Sequence, residues 1–527
     1  MISGFVRLLS FRIWIPTSNM IRGENQKHRP ALLDYKHGVL ASLAQCISLT
    51  LKERLELLDL SSLNHESMKV SFRFTWGLDG SGDHADYHQL SKCEYSTKSV
   101  MSVCFSLSEV KVTDGEGKHV IWTSSTSGAN KPQNTRPLAL FPEKESSALL
   151  QDLMPRIESD VKLIKDEGVI VKGEDEFAVT AVCEEAKLSM ADGKMITTLL
   201  NLGGAYCTMC SKSQKECQEE EVIMEGFAID RSVESISQLA LSLADPDTGE
   251  IIKKKGDYSD RTGICGQPIT EEDVTKLIPV CHSKIRSFEW LIDLAIRALS
   301  HRKWYTVTNR VVYTKEDNAL YKEKRQLVKE VMKSKLGINI GDPGDMITGA
   351  AFQKFSSDFA REILCNLLPE DEREDFSQIQ LGICSLVKVM NSQKRRVNVD
   401  NVSRLGRQVY LLIVRRFPWA AISPSVHRIL AHSWEVIQLN DCYGLGNQSE
   451  EGLEALNKNI RSIRSKGARK TSTENNFTDV WNHLWDRSRP TIVDMERKIQ
   501  KRQGKIIIAT EIESMVESLF EEEGDCG

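Results

Sequence analysis

The run WGLDGSGDHADYHQL, Trp76 to Leu90, sets one carboxylate, Asp79, between glycines just past an alternating apolar stretch, MKVSFRFTW, with a second acid, Asp83, four residues on. A hard divalent cation needs oxygen donors of this kind, and glycines leave room for a large substrate to come close. A simple turn would use the same residues. Further on, YCTMC spaces Cys207 and Cys210 so that both thiolates can reach one Zn²⁺ from a tight turn. That pair needs two more ligands, and the chain offers Cys217 nearby and, in SVHRILAHSW, His427 and His432. The H-x-x-E-H and H-E-x-x-H patterns are absent, so a zinc ion there would be structural. A last cluster lies in NQSEEGLEALNKNIRSIRSKGARK. Ser449 can cap a helix whose first turn carries Glu450, Glu451 and Glu454, where the positive end of the helix dipole favours acids. Lys458, Arg461, Arg464, Lys466, Arg469 and Lys470 follow, giving that helix a basic edge just past a carboxylate. Such an edge suits a phosphodiester lying beside a metal ion, with a solvated basic face as the plain alternative.

The elements that would carry these groups can be read from periodicity. Apolar residues recur at three and four from Leu32 to Leu60, which predicts a helix. MKVSFRFTW, SVMSVCFSLSEVKV and KHVIWTSST alternate and predict a three-stranded meander, with TDGEGK as the turn between the last two. ESSALLQDLMPRIESDVKLIKDEG predicts a helix containing Pro155, EFAVTAVCEEAKLSM a fourth strand ending at Asp192, and GKMITTLLNL another helix. If the first and fourth strands are neighbours, Asp79 and Asp192 meet, the arrangement of RNase H-like nucleases. Past residue 210 helices are expected at RSFEWLIDLAIRAL, NALYKEKRQLVKEVMKSKL, SSDFAREILCNLL and RQVYLLIVRRFPW, the last stopped by Pro418. Loops are expected at SKSQKECQEEE, LADPDTGEIIKKKGDYSDRTGICGQP and INIGDPGDMITG.

Composition narrows the class. A net charge of −5 excludes a polycation, so any nucleic-acid surface must be a local patch. The 13 cysteines are odd in number and irregular in spacing, which argues against a secreted disulfide framework and for a reducing compartment with one metal site. No apolar run approaches the ~18 residues of a membrane span. The first twenty residues carry Arg7 and Arg12 and no acid, a faint transit-peptide pattern, with a disordered leader or a start at Met20 as alternatives.

In order and spacing, seven blocks resemble the Transib family of DNA transposases and the catalytic subunit of the V(D)J recombinase, of the recombination-activating protein family. They are LDGSGD (78–83), DGKM (192–195), YCTMC (206–210), CHSKIRSFEWL (281–291), TGAAFQKF (348–355), HRILAH (427–432) and SEEGLEALNK (449–458). The resemblance implies an α/β RNase H-like core, a mixed sheet with flanking helices, and a large, mainly α-helical, zinc-tethered insertion before the third catalytic acid. It places the acidic triad on Asp79, Asp192 and Glu454, holding two Mg²⁺ or Mn²⁺ ions. The structural zinc ligands fall on Cys207, Cys210, His427 and His432. Asp83 and Glu451 are the nearest alternatives to Asp79 and Glu454, and His282 matches a family histidine whose role stays open between the site and packing. The DNA contacts expected are the basic residues 458–470.

The organisation expected is a leader (1–22), a helical N-terminal segment (23–67), the core (68–202), a zinc-cysteine segment (203–282), a helical zinc-histidine segment (283–446) and a C-terminal part with the third acid, basic run and tail (447–527). The implied activity is nicking at transposon terminal inverted repeats, hairpin formation on flanking DNA, and strand transfer into target DNA by a nuclear homodimer without membrane attachment. Only 78 residues precede Asp79, where the recombinase relatives carry DNA-binding and dimerising segments. The copy is therefore expected to be truncated, degenerate or repurposed, or to have moved end recognition elsewhere, such as the helix over 32–60. The alternatives are a general RNase H-like nuclease and a domesticated, non-catalytic DNA-binding protein.

Overall fold

The computed structural model describes residues 25–35, 38–63, 67–82, 98–123, 133–172, 178–204, 206–248, 251, 263–301, 313–341, 349–393, 395–499, 515–516 and 518–520. The leader, Asp83 and most of the two long loops around residues 255 and 345 lie outside these residues.

Residues 32–60 do not form one helix. Strands β1 (Leu32–Tyr35) and β2 (Gly38–Ala41) make an antiparallel hairpin, and helix α1 (Leu43–Leu55) follows it, capped by Ser42. Leucines and a tyrosine at positions 32, 33 and 35 fit either period. Gly38 decides between them, because β2 presses so closely on a neighbouring strand that a Cβ there would lie 2.2 Å from the carbonyl oxygen of Leu140. Both strands of the hairpin belong to the sheet. Leu43, Cys46, Ile47 and Leu51 of α1 are buried in the sheet's core, so this segment is part of the main body.

Strands β3 (Lys69–Ser81), β4 (Val100–Thr113) and β5 (His119–Thr123) follow as expected, and then β6 (Arg136–Phe141), which the loop-like residues before it conceal. Helix α2 (Ser147–Glu167) runs on through Pro155, which lies on its exposed side. A short strand β7 (Val169–Lys172) leads to β8 (Ala178–Met190) and helix α3 (Gly193–Leu199). The sheet order is β1-β2-β6-β4-β3-β8-β7, with β5 paired to the far half of β4. Strand β3 is antiparallel to β4 and parallel to β8, so the two strands that carry the first two acids are neighbours in a mixed sheet. The contact is close at Gly77, where a Cβ would meet the Met190 carbonyl oxygen at 1.9 Å. The glycine therefore serves strand packing rather than a turn, and β3 runs past Trp76 to Ser81, with Asp79 inside it opposite Ser102.

The rest is helical: α4 (Glu220–Glu225), α5 (Val233–Leu243), α6 (Val280–Leu299), α7 (Lys315–Leu336), α8 (Gly349–Phe355), α9 (Asp358–Leu367), α10 (Glu370–Met390), α11 (Val399–Arg416), α12 (Pro424–His427) and α13 (Ser433–Leu439). Most of these share a second core, built on Phe288 and Leu291 of α6, Ile379 and Ile383 of α10, and Val409 and Ile413 of α11. The chain then returns to the sheet. Helix α14 (Glu451–Lys466) buries Leu453, Leu456 and Ile460 there, and α15 (Thr473–Arg487) buries Phe477 and a stacked pair, Trp481 and Trp485, before α16 (Pro490–Ile499). The helical body thus lies in the sequence between the second acid and the third.

Candidate active site

Asp79, Asp192 and Glu454 come together where β3, the β8–α3 junction and α14 converge on the start of α6. Asp192 is the N-cap of α3, its Oδ1 accepting from the Met195 amide at 2.5 Å. That cap fixes the carboxylate and leaves Oδ2 directed inward, 3.8 Å from His282 Nε2. Glu454, in the first turn of α14, brings Oε1 to 3.3 Å from the same nitrogen. Asp79 is buried, and Asn457, one helical turn past Glu454, donates from Nδ2 to its Oδ2 at 2.7 Å. Burial, reinforced by the charges of Asp192 and Glu454, pushes the Asp79 carboxyl well above its usual range. Burial likewise raises Glu454, against the pull of His282 and with the help of Glu450 and Asp192. Crowded acids of which Asp79 and Glu454 are held back from ionising are the donor set a divalent cation relieves, and hard carboxylate oxygens suit Mg²⁺ or Mn²⁺.

His282 sits at the centre of these acids. Its backbone N–H donates to Glu450 Oε1 at 2.8 Å, and its Nδ1 lies 3.1 Å from the same oxygen. A carboxylate only accepts, so Nδ1 carries the proton and Nε2 faces Asp192 and Glu454. Burial works against the charged ring, but Glu450, Asp192 and Glu454 outweigh it and raise the His282 pKa to about 9. Glu450 is buried, and its Oε2 has no partner among the described residues. Glu451 turns away to pair with Lys284. Of the three clustered glutamates, then, 454 faces the other two acids, 450 holds the histidine and 451 forms an ion pair at the side. Sequence reasoning singled out neither Glu450 nor Asn457 for these contacts. Asn457 lies three residues past Glu454 and so on the same helix face, which is the signal that could have marked it.

The glycines around Asp79 are mostly internal. Besides Gly77 against β8, Gly80 accommodates Glu145, whose Oε2 would lie 1.9 Å from a Cβ there, and Glu145 pairs with Lys194. Gly82 alone of the three faces open space. Beside Asp192 a cavity of about 240 Å³ is lined by Lys194, Tyr206, His282, Arg286 and Arg428, a cationic rim no sequence motif announced.

The basic run does not form one edge. Lys458 and Arg461 are exposed near the acids, and the Arg461 guanidinium donates to Ser81 Oγ from Nε at 3.2 Å. Arg464 is 2% exposed, donates from Nε to Asn476 Oδ1 at 3.2 Å and lies over the Phe477 ring. Six residues along a helix turn the side chain by about 120° from Lys458, which carries Arg464 onto the face packed on α15. Arg469 is held by Asp479 through Nε and Nη2, both at 2.8 Å, while Lys466 and Lys470 are exposed. Arg464→Ala is therefore expected to cost about 3 kcal/mol of stability, as for a broken buried network, read by urea unfolding. Lys458→Ala, at an exposed position, is expected to leave the urea midpoint unchanged.

The second constellation is a Cys₂His₂ cluster. One ligand atom from each of Cys207, Cys210, His427 and His432 lies within 4.8 Å of the others, and all four residues are buried. Two histidines five apart on a regular α-helix would point about 140° away from each other. Between α12 and α13, however, Arg428–His432 forms a π turn, whose wider winding brings both rings to one side. His427 Nδ1 lies 2.9 Å from the Tyr410 hydroxyl and His432 Nδ1 2.9 Å from Glu435 Oε2, which turns each Nε2 toward the thiols. His432 Nε2 is buried and turned toward the Cys207 thiol. Burial opposes ionisation of Cys207, but hydrogen bonds from Cys210, His427 and His432 hold its thiol well below the usual range. Both thiols and both imidazoles suit zinc. Cys217 is buried next to this group, with Tyr410 acting on it, and is not one of the four.

Residues 74–202 match the family model of the recombination-activation protein 1 (RAG1) RNase H domain. The match runs from within β3 to just past α3 and includes Asp79 and Asp192, so the sheet with its flanking helices is an RNase H-like domain related to that of the recombinase. Glu454 and the Cys₂His₂ cluster lie outside it. No curated protein matches the chain. Among solved structures, the Drosophila P element transposase strand transfer complex aligns over 91% of this chain and 86% of its own at 8% identity, with a TM-score of 0.28, too low for any inference.

Proposed function

We propose that the chain is a DNA transposase or recombinase of the DDE type, with Asp79, Asp192 and Glu454 as its catalytic carboxylates. The observation that carries this is the meeting of the three acids around one histidine at the edge of an RNase H-like sheet of the recombinase kind. Two Mg²⁺ or Mn²⁺ ions bound there would activate the attacking oxygen and stabilise the leaving one in an in-line displacement at phosphorus. The chain's own residues do the rest. The α3 cap holds Asp192 in place, the Asn457 amide holds Asp79, and the first turn of α14 presents Glu454. Lys458 and Arg461, exposed beside the acids, would grip phosphates without reading bases. The same site used first with water and then with a 3′-hydroxyl gives nicking, hairpin formation on flanking DNA and strand transfer. The Cys₂His₂ cluster takes a structural Zn²⁺, which would crosslink the segment after α3 to the α12–α13 helix. A homodimer acting in the nucleus fits a reaction that must pair two transposon ends.

The test supplies the purified chain with intact and pre-nicked duplexes in Mg²⁺ and in Mn²⁺, wild type beside Asp79→Ala. Metal-dependent nicking and a hairpin from the pre-nicked end, both absent from the variant, are expected. Hydrolysis without hairpin or joined product would make the chain a general nuclease. No cleavage at any duplex length, or equal cleavage by the variant, would end the proposal.

A further inference from the structure

We infer that Asn457 is a positioning residue that locks the third acid's helix to the first acid's strand; this deepens the reading of Asp79, Asp192 and Glu454 given above and rests on it. Three elements meet at its side chain. Strand β3 supplies Asp79, strand β4 supplies Ser102, the residue directly across from Asp79, and helix α14 supplies Asn457 itself. Ser102 Oγ donates to Asn457 Oδ1 at 3.1 Å, and Asn457 Nδ2 donates to Asp79 Oδ2 at 2.7 Å. Ser102 is fully buried and Asn457 4% exposed, so water does not compete for these bonds.

The chemistry fixes the direction of each bond. The amide nitrogen is the donor to Asp79 Oδ2, and once that carboxylate is ionised, as a metal ligand must be, it can only accept, which leaves the amide oxygen for the serine hydroxyl. Reversing the amide would set its oxygen against a carboxylate oxygen in a dry site, so only one orientation is satisfied. With Oδ2 committed to Asn457, the Asp79 side chain cannot rotate freely beside Asp192 and Glu454. The same contact pins the rotation of α14 about its own axis. Glu454 lies three residues earlier on the same face, so its direction is set by the bond that orients Asp79. One amide thus fixes two of the three carboxylates relative to each other before any ion binds. Preorganisation of this kind is what the partners of metal ligands supply.

The test is Mn²⁺ binding to the full-length chain by calorimetry, with Asn457→Ala and the similarly sized Asn457→Leu beside wild type. Both variants are expected to bind Mn²⁺ about 10-fold more weakly or worse, the effect of removing an outer-shell partner. Their zinc content should be that of wild type, and their cleavage should recover toward the wild-type rate at high Mn²⁺ because the ligands themselves are intact. Ser102→Ala, which removes the bond that orients the amide and a longer one from the same hydroxyl to the Asp79 carbonyl oxygen at 3.4 Å, is expected to show a smaller loss in the same direction. Wild-type Mn²⁺ affinity in both Asn457 variants overturns this assignment and leaves the site standing. So does a loss of cleavage that no Mn²⁺ concentration restores in variants that keep their zinc and melting temperature. A wild-type chain that takes up no Mn²⁺ overturns the reading of the three acids, and this assignment with it.

Discussion

Asp192→Asn is expected to lower DNA cleavage at least about 1000-fold, the scale on which one member of a cooperating catalytic set acts, while leaving the fold intact. The choice of asparagine matters. Asp192 has two jobs in this structure: one oxygen caps α3, and the other faces His282 and the remaining acids. Asparagine caps a helix as well as aspartate does, so the substitution keeps the first job and removes the charge needed for the second. Removing the Asp192 charge also takes away the repulsion that adds to burial in raising the Asp79 carboxyl. The urea midpoint of the metal-free variant should therefore equal or exceed that of wild type. Single-turnover cleavage and unfolding curves on the same preparation check both halves. A variant that cuts at the wild-type rate would remove Asp192 from the chemistry.

Removal of a Cys₂His₂ ligand is expected to have the second large effect. Cys207→Ser is expected to leave the purified chain without zinc and wild type to carry one equivalent, a difference read by elemental analysis. The second core should then melt earlier, because Cys207, Cys210 and the π turn lie within it. Ligand binding to the folded state alone is stabilisation by mass action, so chelation of wild type should lower its melting temperature toward that of the variant. Tyr410→Phe and Glu435→Gln, which remove the partners of the two imidazoles, should weaken zinc binding by about 10- to 100-fold without abolishing it. Wild-type protein that purifies without metal and melts unchanged in chelator would refute the site.

The sequence marked which of these side chains would meet better than it marked what surrounds them. Asp79 and Asp192 could be paired because β3 and β8 alternate cleanly and each leads to an acid. Cys207 and Cys210 announced themselves by spacing, and His427 and His432 by recurrence on an apolar helix. The contacts of His282 with Glu450, and of Asn457 with Ser102 and Asp79, join residues more than a hundred positions apart, and no local period encodes such a meeting. Strands β6 and β7 are short, and short apolar runs carry little periodic signal. Residues 32–41 were misread because a few leucines satisfy two periods at once. Arg464 was misread because steps of three along a helix drift, and after two of them a residue taken for the basic edge is in the core.

The π turn between His427 and His432 has a consequence beyond the Cys₂His₂ cluster. Removing one residue between them would give the four-residue spacing that an ordinary α-helix already places on one side, so the ligands alone do not demand the extra residue. The wider winding of the π turn takes up that residue, so the chain after it keeps nearly the angular setting that a four-residue turn would give. The insertion is absorbed where it stands, and deleting it is expected to leave the Cys₂His₂ cluster and the path of the chain toward Glu450 and Glu454 close to their present settings.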